Sequence, residues 1–280
     1  MGKRLLFFPS TPRFGSRWSI SKKERKKVMS LISSSIVPLF MTIQADKAVL
    51  IAFGGPSSSG KTTVALTLKA LLPDVTLIHL DDFYLADSQI PIDEETGYQN
   101  WDCPQAIDFE KFTTYILNIK FGKEQPPIES IQSNDLDVKL TPNEKNTILD
   151  KINQQNDKFK RKRLVFVDGF MLFHNPEIIK LFDIKLLFHA SFDTLKIRRE
   201  SRGGYNTIEG FWVDPPDYFG KIVWPAFVDS HKYLFVGDDV DNKLKPEVSR
   251  QFNIYDINNG NDTPLLDLVQ RSIDIIIDNL

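Results

Sequence analysis

Cysteine occurs once, at Cys103. No disulfide framework can therefore staple the chain, and a reducing compartment is expected. Histidine is almost as scarce: His79, His174, His189 and His231 show no metal-ligand spacing and are expected in packing or surface roles. Long apolar runs are missing too, the segment Leu31 to Phe40 being too short and too interrupted by serine to span a bilayer. Beyond the N-terminal segment no basic patch is interleaved with aromatics, so neither a membrane nor nucleic acid is an expected partner. What is present, 41% hydrophobic and 26% charged residues with a net charge of −2, suits a soluble α/β domain rather than a disordered chain.

The charge is unevenly spread. Residues 1–40 hold nine Lys or Arg against one acid, Glu24, which gives +8 and leaves −10 for the remainder. Such a segment fits a mitochondrial presequence, or an extension ahead of a natural start at Met41 that is an artefact of the gene model; the second is the expectation. The chain accordingly divides into a basic, disordered extension over 1–45 and one domain over 46–280. The expected state is a monomer in the cytoplasm, with the nucleus as a second compartment, or in mitochondria if the presequence is genuine.

From residue 46 onward β-branched runs alternate with helix-period stretches, the pattern of a parallel sheet covered by helices on both faces. Five main strands are read at Ala48–Phe53, Val75–Leu80, Leu164–Val167, Ile184–Ala190 and Phe252–Ile257, with Tyr233–Val236 as a further short strand or a helix end. Asp262-Thr263-Pro264 marks the start of a last helix, with proline at its first position. The polar stretch 122–163 lacks a strand pattern and reads as an insertion with some helix, more mobile than the core.

Between the first strand and the next helical stretch lies Gly55-Pro56-Ser57-Ser58-Ser59-Gly60-Lys61-Thr62, which fits G-x-x-x-x-G-K-[ST]. Glycine frees the backbone N–H groups to turn toward phosphate oxygens, and the helix N-terminus adds partial positive charge. Lys61 then reaches the β- and γ-phosphates and Thr62 offers a hydroxyl to Mg²⁺. Gly55, Ser57, Ser58, Ser59, Gly60, Lys61, Thr62 and Thr63 are thus the candidate ATP-binding loop.

Ligands of open α/β sheets collect beyond the carboxyl ends of the strands. There stand Asp81-Asp82-Phe83-Tyr84 after strand two and Asp168 after strand three. Asp81 is placed to accept the proton of an attacking hydroxyl or to help hold Mg²⁺. Its neighbour Asp82 faces another way, either into the site or onto the following turn as a cap. Arg198, Arg199 and Arg202 come after strand four; residues four apart share a helix face, so Arg198 and Arg202 point one way and Arg199 another, either as a lid or as a solvated face.

These blocks resemble the nicotinamide riboside kinases, specifically the fungal form, from about Met41 to the C-terminus. The resemblance is carried by F-G-G-P-S-S-S-G-K-T-T, L-I-H-L-D-D-F-Y, Q-N-W-D-C-P-Q-A-I-D-F, V-D-G-F-M-L-F, R-R-E-S-R-G-G-Y and F-W-V-D-P-P-D-Y-F. It implies a P-loop kinase fold with an Arg-bearing lid, and Mg²⁺-dependent transfer of the ATP γ-phosphate to the 5′-hydroxyl of nicotinamide riboside or nicotinic acid riboside, in NAD salvage. It also implies roles. Asp81 becomes the general base and a metal contact with Thr62, and Lys61 acts on phosphate. Trp101 and Tyr205 sandwich the pyridine ring, and Asp102 holds the ribose hydroxyls. Arg198 and Arg202 grip ATP and Arg199 the acceptor, while Asp82, Phe83, Tyr84 and Asp168 complete the acceptor side. A pyridinium cation suits an aromatic wall, worth roughly 0.5–2 kcal/mol.

Two departures stand out. Asp168 is one methylene shorter than the Glu that members can carry there, and one extra glycine, Gly203 or Gly204, precedes Tyr205 relative to animal members. Phe211 to Phe219 reads equally as a rigid frame for the acceptor pocket and as packing. The rival functions are a uridine- or cytidine-type nucleoside kinase and a non-catalytic P-loop nucleotide-binding module.

Overall fold

Along the first strand Leu50 and Ala52 face one side and Ile51 and Phe53 the other, yet all four are fully buried. Both faces of that strand must be covered, and in the computed structural model they are. The structure describes residues 47–280 except 124, 127, 129, 132–137, 161 and 208. The extension 1–45 and part of the polar insertion lie outside the described residues.

The strands are β1 (Val49–Gly54), β2 (Thr76–His79), β3 (Leu164–Gly169), β4 (Ile184–His189), the two-residue hairpin strands β5 (Tyr205–Asn206) and β6 (Phe211–Trp212), and β7 (Ile254–Asn258). Five of them form one parallel sheet in the order β2-β3-β1-β4-β7. The helices are α1 (Lys61–Leu71), α2 (Phe109–Lys120), α3 (Pro142–Gln154), α4 (Asn156–Phe159), α5 (Pro176–Ile179), α6 (Phe192–Glu200), α7 (Trp224–His231), α8 (Pro246–Phe252) and α9 (Leu265–Asn279). Val64 and Leu68 of α1, Ile148 of α3 and Ile273 of α9 pack on the face of Ile51 and Phe53. Phe112 of α2, Phe227 of α7 and Val248 of α8 cover Leu50 and Ala52.

The five expected strands are present within one or two residues, except that Phe252 ends α8 instead of opening β7. Tyr233–Val236 adds no strand to the sheet: Lys232–Leu234 is a turn of 3₁₀ helix, and Phe235 makes one isolated bridge to Leu244. Pro264 sits at the N-cap of α9 rather than at its first helical position, with extended backbone and no side-chain cap. Within the polar stretch, α3 starts at a capping box in which Thr141 and Glu144 satisfy each other's backbone N–H groups. Among the described residues no helix is long and apolar enough to cross a membrane.

The register sets the site. His79 pairs with Asp168, and Phe53 pairs with Asp168 from the other side. The carboxyl ends of β2, β3 and β1 therefore finish level, and the segments leaving those ends converge on one cavity.

Candidate active site

A cavity of about 230 Å³ opens at this end of the sheet. On one side it is walled by Ser57, Ser58 and Gly60 to Thr63. Gly55 lies behind that wall at φ 136°, where a Cβ would stand 2.0 Å from the carbonyl oxygen of Phe188; only glycine lets the loop lie against β4. Gly60, left-handed at φ 90°, is the N-cap of α1, which has no side-chain cap and no acid in its first turn. The first N–H groups of that helix are thus left for an anion. From behind, Asn259 Nδ2 donates to the carbonyl of Ser59 at 2.9 Å and fixes the loop.

Lys61 of that wall shares the cavity with Asp81 and Asp168, and the three charges act on one another. Burial pushes the Asp81 carboxyl up to about 6, with Lys61 opposing the shift and Asp168 adding to it. Burial likewise lowers Lys61 below its ordinary value, against the pull of Asp168 and Asp81. His79 lies 3.2 Å from Asp168 through Nδ1, and both are almost wholly inaccessible. Burial works against its charge, but the Asp168 hydrogen bond and the charges of Asp168 and Asp81 raise its pKa above the ordinary value. A carboxyl titrating near neutrality beside a lysine is a proton acceptor matched to its task.

For a divalent cation the donors at hand are oxygens: the Thr62 hydroxyl, Asp81, and Asp168 Oδ1, which is buried without a hydrogen-bond partner. Among the described residues no group of three or more His, Cys, Asp or Glu forms a cage. So sparse a set of hard donors fits Mg²⁺, which keeps waters and phosphate oxygens in its shell.

The acceptor side is aromatic and ionic. Trp101 is pinned through its backbone N–H, which donates to Tyr218 Oη at 3.1 Å while that hydroxyl donates to Gln99 O. Its ring meets Tyr84 edge-on at 5.3 Å and Trp212 at 5.8 Å. Next to it Asp102 Oδ1 accepts from Arg199 Nη1 at 3.3 Å, whereas Asp102 Oδ2 is buried without a partner. Arg199 also donates from Nη1 to Ser57 Oγ at 2.9 Å, and from Nε and Nη2 to the two oxygens of Asp214 at 2.7 and 3.0 Å. Its guanidinium stacks 4.5 Å from the Tyr205 ring centre, and Arg202 approaches the same ring at 5.5 Å. Burial opposes the Arg199 charge, but Asp102 and Asp214 hold its pKa well above the usual arginine value.

Most residues singled out in the sequence meet here; Gly55 and Ser59 of the loop lie behind the cavity wall, Ser59 fully buried, and three others lie elsewhere. Asp82 turns away: its carboxylate accepts from Ser130 Oγ at 2.9 Å and Ile131 N at 3.0 Å, so it caps that segment. Phe83 is core, packed edge-on against Phe112. Arg198 is outside the cavity wall and donates instead to the carbonyls of Asn259 and Gly260. The expectation that Arg198 and Arg202 share a face fails because α6 ends at Glu200; Arg202 lies beyond its C-cap, where helical spacing no longer applies. His79, expected in a packing or surface role, is almost wholly buried and also borders the cavity. Sequence reasoning misses Asp214, Trp212 and Tyr218 as individual site residues, although their block F-W-V-D-P-P-D-Y-F reads as a frame for this pocket.

The sequence profile described as the phosphoribulokinase/uridine kinase family matches residues 50–205. A protein of Saccharomyces cerevisiae named nicotinamide riboside kinase is 42% identical over 79% of this chain and 92% of its own length. Proteins of the same name from Schizosaccharomyces pombe and Eremothecium gossypii are 37% and 34% identical, over 71% and 81% of this chain and 85% and 92% of theirs.

Proposed function

The chain belongs to the nicotinamide riboside kinases and to the phosphoribulokinase/uridine kinase family, and on that premise we propose how its cavity transfers phosphate. ATP is the donor, and the acceptor is the 5′-hydroxyl of nicotinamide riboside, with nicotinic acid riboside as a second substrate. The observation that carries this reading is a half-buried Asp81, its carboxyl pushed up to about 6, which lines one cavity with a phosphate loop and with Trp101 and Asp102.

The ATP phosphates lie along the N–H groups opening α1, and Lys61 neutralises charge that builds on the moving phosphoryl group. Asp81 accepts the proton of the riboside 5′-hydroxyl as its oxygen bonds to the γ-phosphorus and the bond to ADP breaks. Thr62, Asp81 and Asp168 would hold Mg²⁺, which supplies positive charge to the phosphate oxygens. Trp101, with Tyr84, Trp212 and Tyr205 around it, offers ring faces to the pyridinium cation. Asp102 Oδ2 accepts from the ribose hydroxyls, which satisfies an oxygen otherwise buried unpaired. Arg202 reaches ATP from the lid, while Arg198 supports the turn at 259–261 behind the loop.

The test is ADP release with ATP and Mg²⁺ in the presence of nicotinamide riboside, nicotinic acid riboside, uridine, cytidine or no acceptor. Release that depends on the two pyridine ribosides is expected. Release driven by uridine or cytidine would move the chain to the other nucleoside kinases, and release indifferent to every acceptor would leave only a nucleotide-binding module.

A further inference from the structure

We propose that Asp214 is a positioning residue which, by occupying one edge of Arg199, keeps the second oxygen of Asp102 open for the ribose of the acceptor. The inference rests on the riboside reading of the cavity.

A guanidinium offers its donors as two edges, and a carboxylate that meets one edge in fork geometry is held more firmly than one met by a single N–H. Arg199 stands between two carboxylates. Asp214 takes the Nε and Nη2 edge with both oxygens, at 2.7 and 3.0 Å. Asp102 receives a single Nη1 contact at 3.3 Å, and Nη1 is shared with Ser57 Oγ. The asymmetry is built in, because Trp212 Nε1 donates to Asp214 Oδ1 at 2.9 Å and orients that carboxylate from the hairpin. Asp102 is the more buried of the two acids, its side chain 6% accessible against 22% for Asp214. Without Asp214 the fork would therefore turn to Asp102 and engage both of its oxygens, so that the ribose hydroxyls would meet a carboxylate already held by the guanidinium. With Asp214 holding it, Arg199 meets only one oxygen of Asp102, and the other is what a cis-diol completes.

The experiment compares Asp214→Asn with the unmodified enzyme. The amide keeps the shape and one acceptor but loses the second acceptor that the fork needs. KM for nicotinamide riboside is expected to rise about tenfold with KM for ATP within about twofold. Preference for the riboside over its 2′-deoxy analogue is expected to fall about tenfold, and Asp214→Glu to recover part of it. A preference ratio equal to that of the unmodified enzyme, or equal rises in both KM values, overturns the proposal. A crystal structure of Asp214→Asn, which needs no substrate, decides independently: Arg199 paired with both oxygens of Asp102 supports it, and Arg199 unmoved with Asp102 Oδ2 still clear sinks it. Activity of the unmodified enzyme on ribosides tests the reading beneath; its absence would remove that reading and leave the crystallographic result to stand or fall alone.

Discussion

From Gly55 to Thr62 the proposed donor end of the cavity is made of contiguous residues whose backbone N–H groups are offered to phosphate. The acceptor end instead gathers side chains from three separate segments, Trp101 and Asp102, Arg199 to Tyr205, and Trp212 to Tyr218, with Asp102, Asp214, Tyr205 and Tyr218 meeting on one guanidinium. At the donor end three residues, Gly55, Ser58 and Gly60, hold positive φ values, the kind of backbone that lets N–H groups line an anion site. At the acceptor end Gly204 (φ 139°) and Asp217 (φ 58°) also hold positive φ values, but they shape the segments that carry the side chains, and the information lies in charge and ring faces. A site of the first kind is sensitive to shape and indifferent to most side chains; a site of the second kind is the reverse. Substitutions should therefore separate ATP from acceptor cleanly, except where the two ends meet.

They meet at Asp81. Asp81→Asn is expected to lower kcat about 10²–10⁴-fold, with KM for ATP and for riboside each within about threefold and the circular dichroism spectrum unchanged. Because burial lifts this carboxyl to about 6, it is charged and able to accept a proton above that pH and protonated below it. Activity as kcat/KM should then be level above pH 6 and fall about tenfold per unit beneath it, an acid limb the Asn variant lacks. A variant that raised one KM steeply and spared kcat would place Asp81 at one end only.

The donor end breaks through its backbone. Gly55→Ala sets a Cβ 2.0 Å from a main-chain carbonyl of β4 at φ 136°, which costs about 1–3 kcal/mol for the conformation alone. The expected result is a lower Tm and a loss of ATP binding of about 100-fold. Gly60→Ala meets the Asn259 amide instead, a side chain that can rotate, and should be the milder of the two. Equal effects would show that the left-handed φ, shared by both, outweighs what each Cβ touches.

The same contrast explains what could be read from the chain. The phosphate loop, the five strands and Asp81 were legible because each depends on neighbours in sequence: apolar alternation, glycine spacing, a carboxylate at a strand end. Asp82 and Phe83 enter the expected site with the block that resembles the family and by adjacency to Asp81, although a turn of 3₁₀ helix over Leu80–Phe83 rotates them to other surfaces. The Arg198 and Arg202 pairing assumes a helix longer than the one that ends at Glu200. Asp214 was out of reach for another reason, since nothing in a local pattern says that an acid fifteen residues past Arg199 returns to it. Trp101 and Asp102 rested on resemblance, and in the fold both border the cavity.

At the acceptor end a ring can be removed without touching the loop. Trp101→Ala withdraws an aromatic face worth about 0.5–2 kcal/mol to a pyridinium, so KM for nicotinamide riboside should rise about 2- to 30-fold. KM for ATP should stay within about twofold. Initial rates against each substrate in turn measure both, and an unchanged riboside KM would count against the aromatic wall.

The smallest effect is expected from Arg198, and it sharpens the division from the donor side. Its guanidinium holds the carbonyls of Asn259 and Gly260 at 3.1 and 3.2 Å, and Asn259 in turn holds the Ser59 carbonyl of the phosphate loop. Under the proposed function Arg198 therefore bears on ATP only through a turn and a loop. Net hydrogen-bond contributions of about 1 kcal/mol translate into roughly fivefold, so Arg198→Ala should raise KM for ATP by about two- to fivefold and leave kcat and KM for riboside as they were. Arg202 lines the cavity itself and lies past the helix end, so Arg202→Ala should lower kcat instead. If the two variants were to exchange these signatures, Arg198 would have to leave the turn and reach the moving phosphate, and the donor end would owe its grip to a side chain after all.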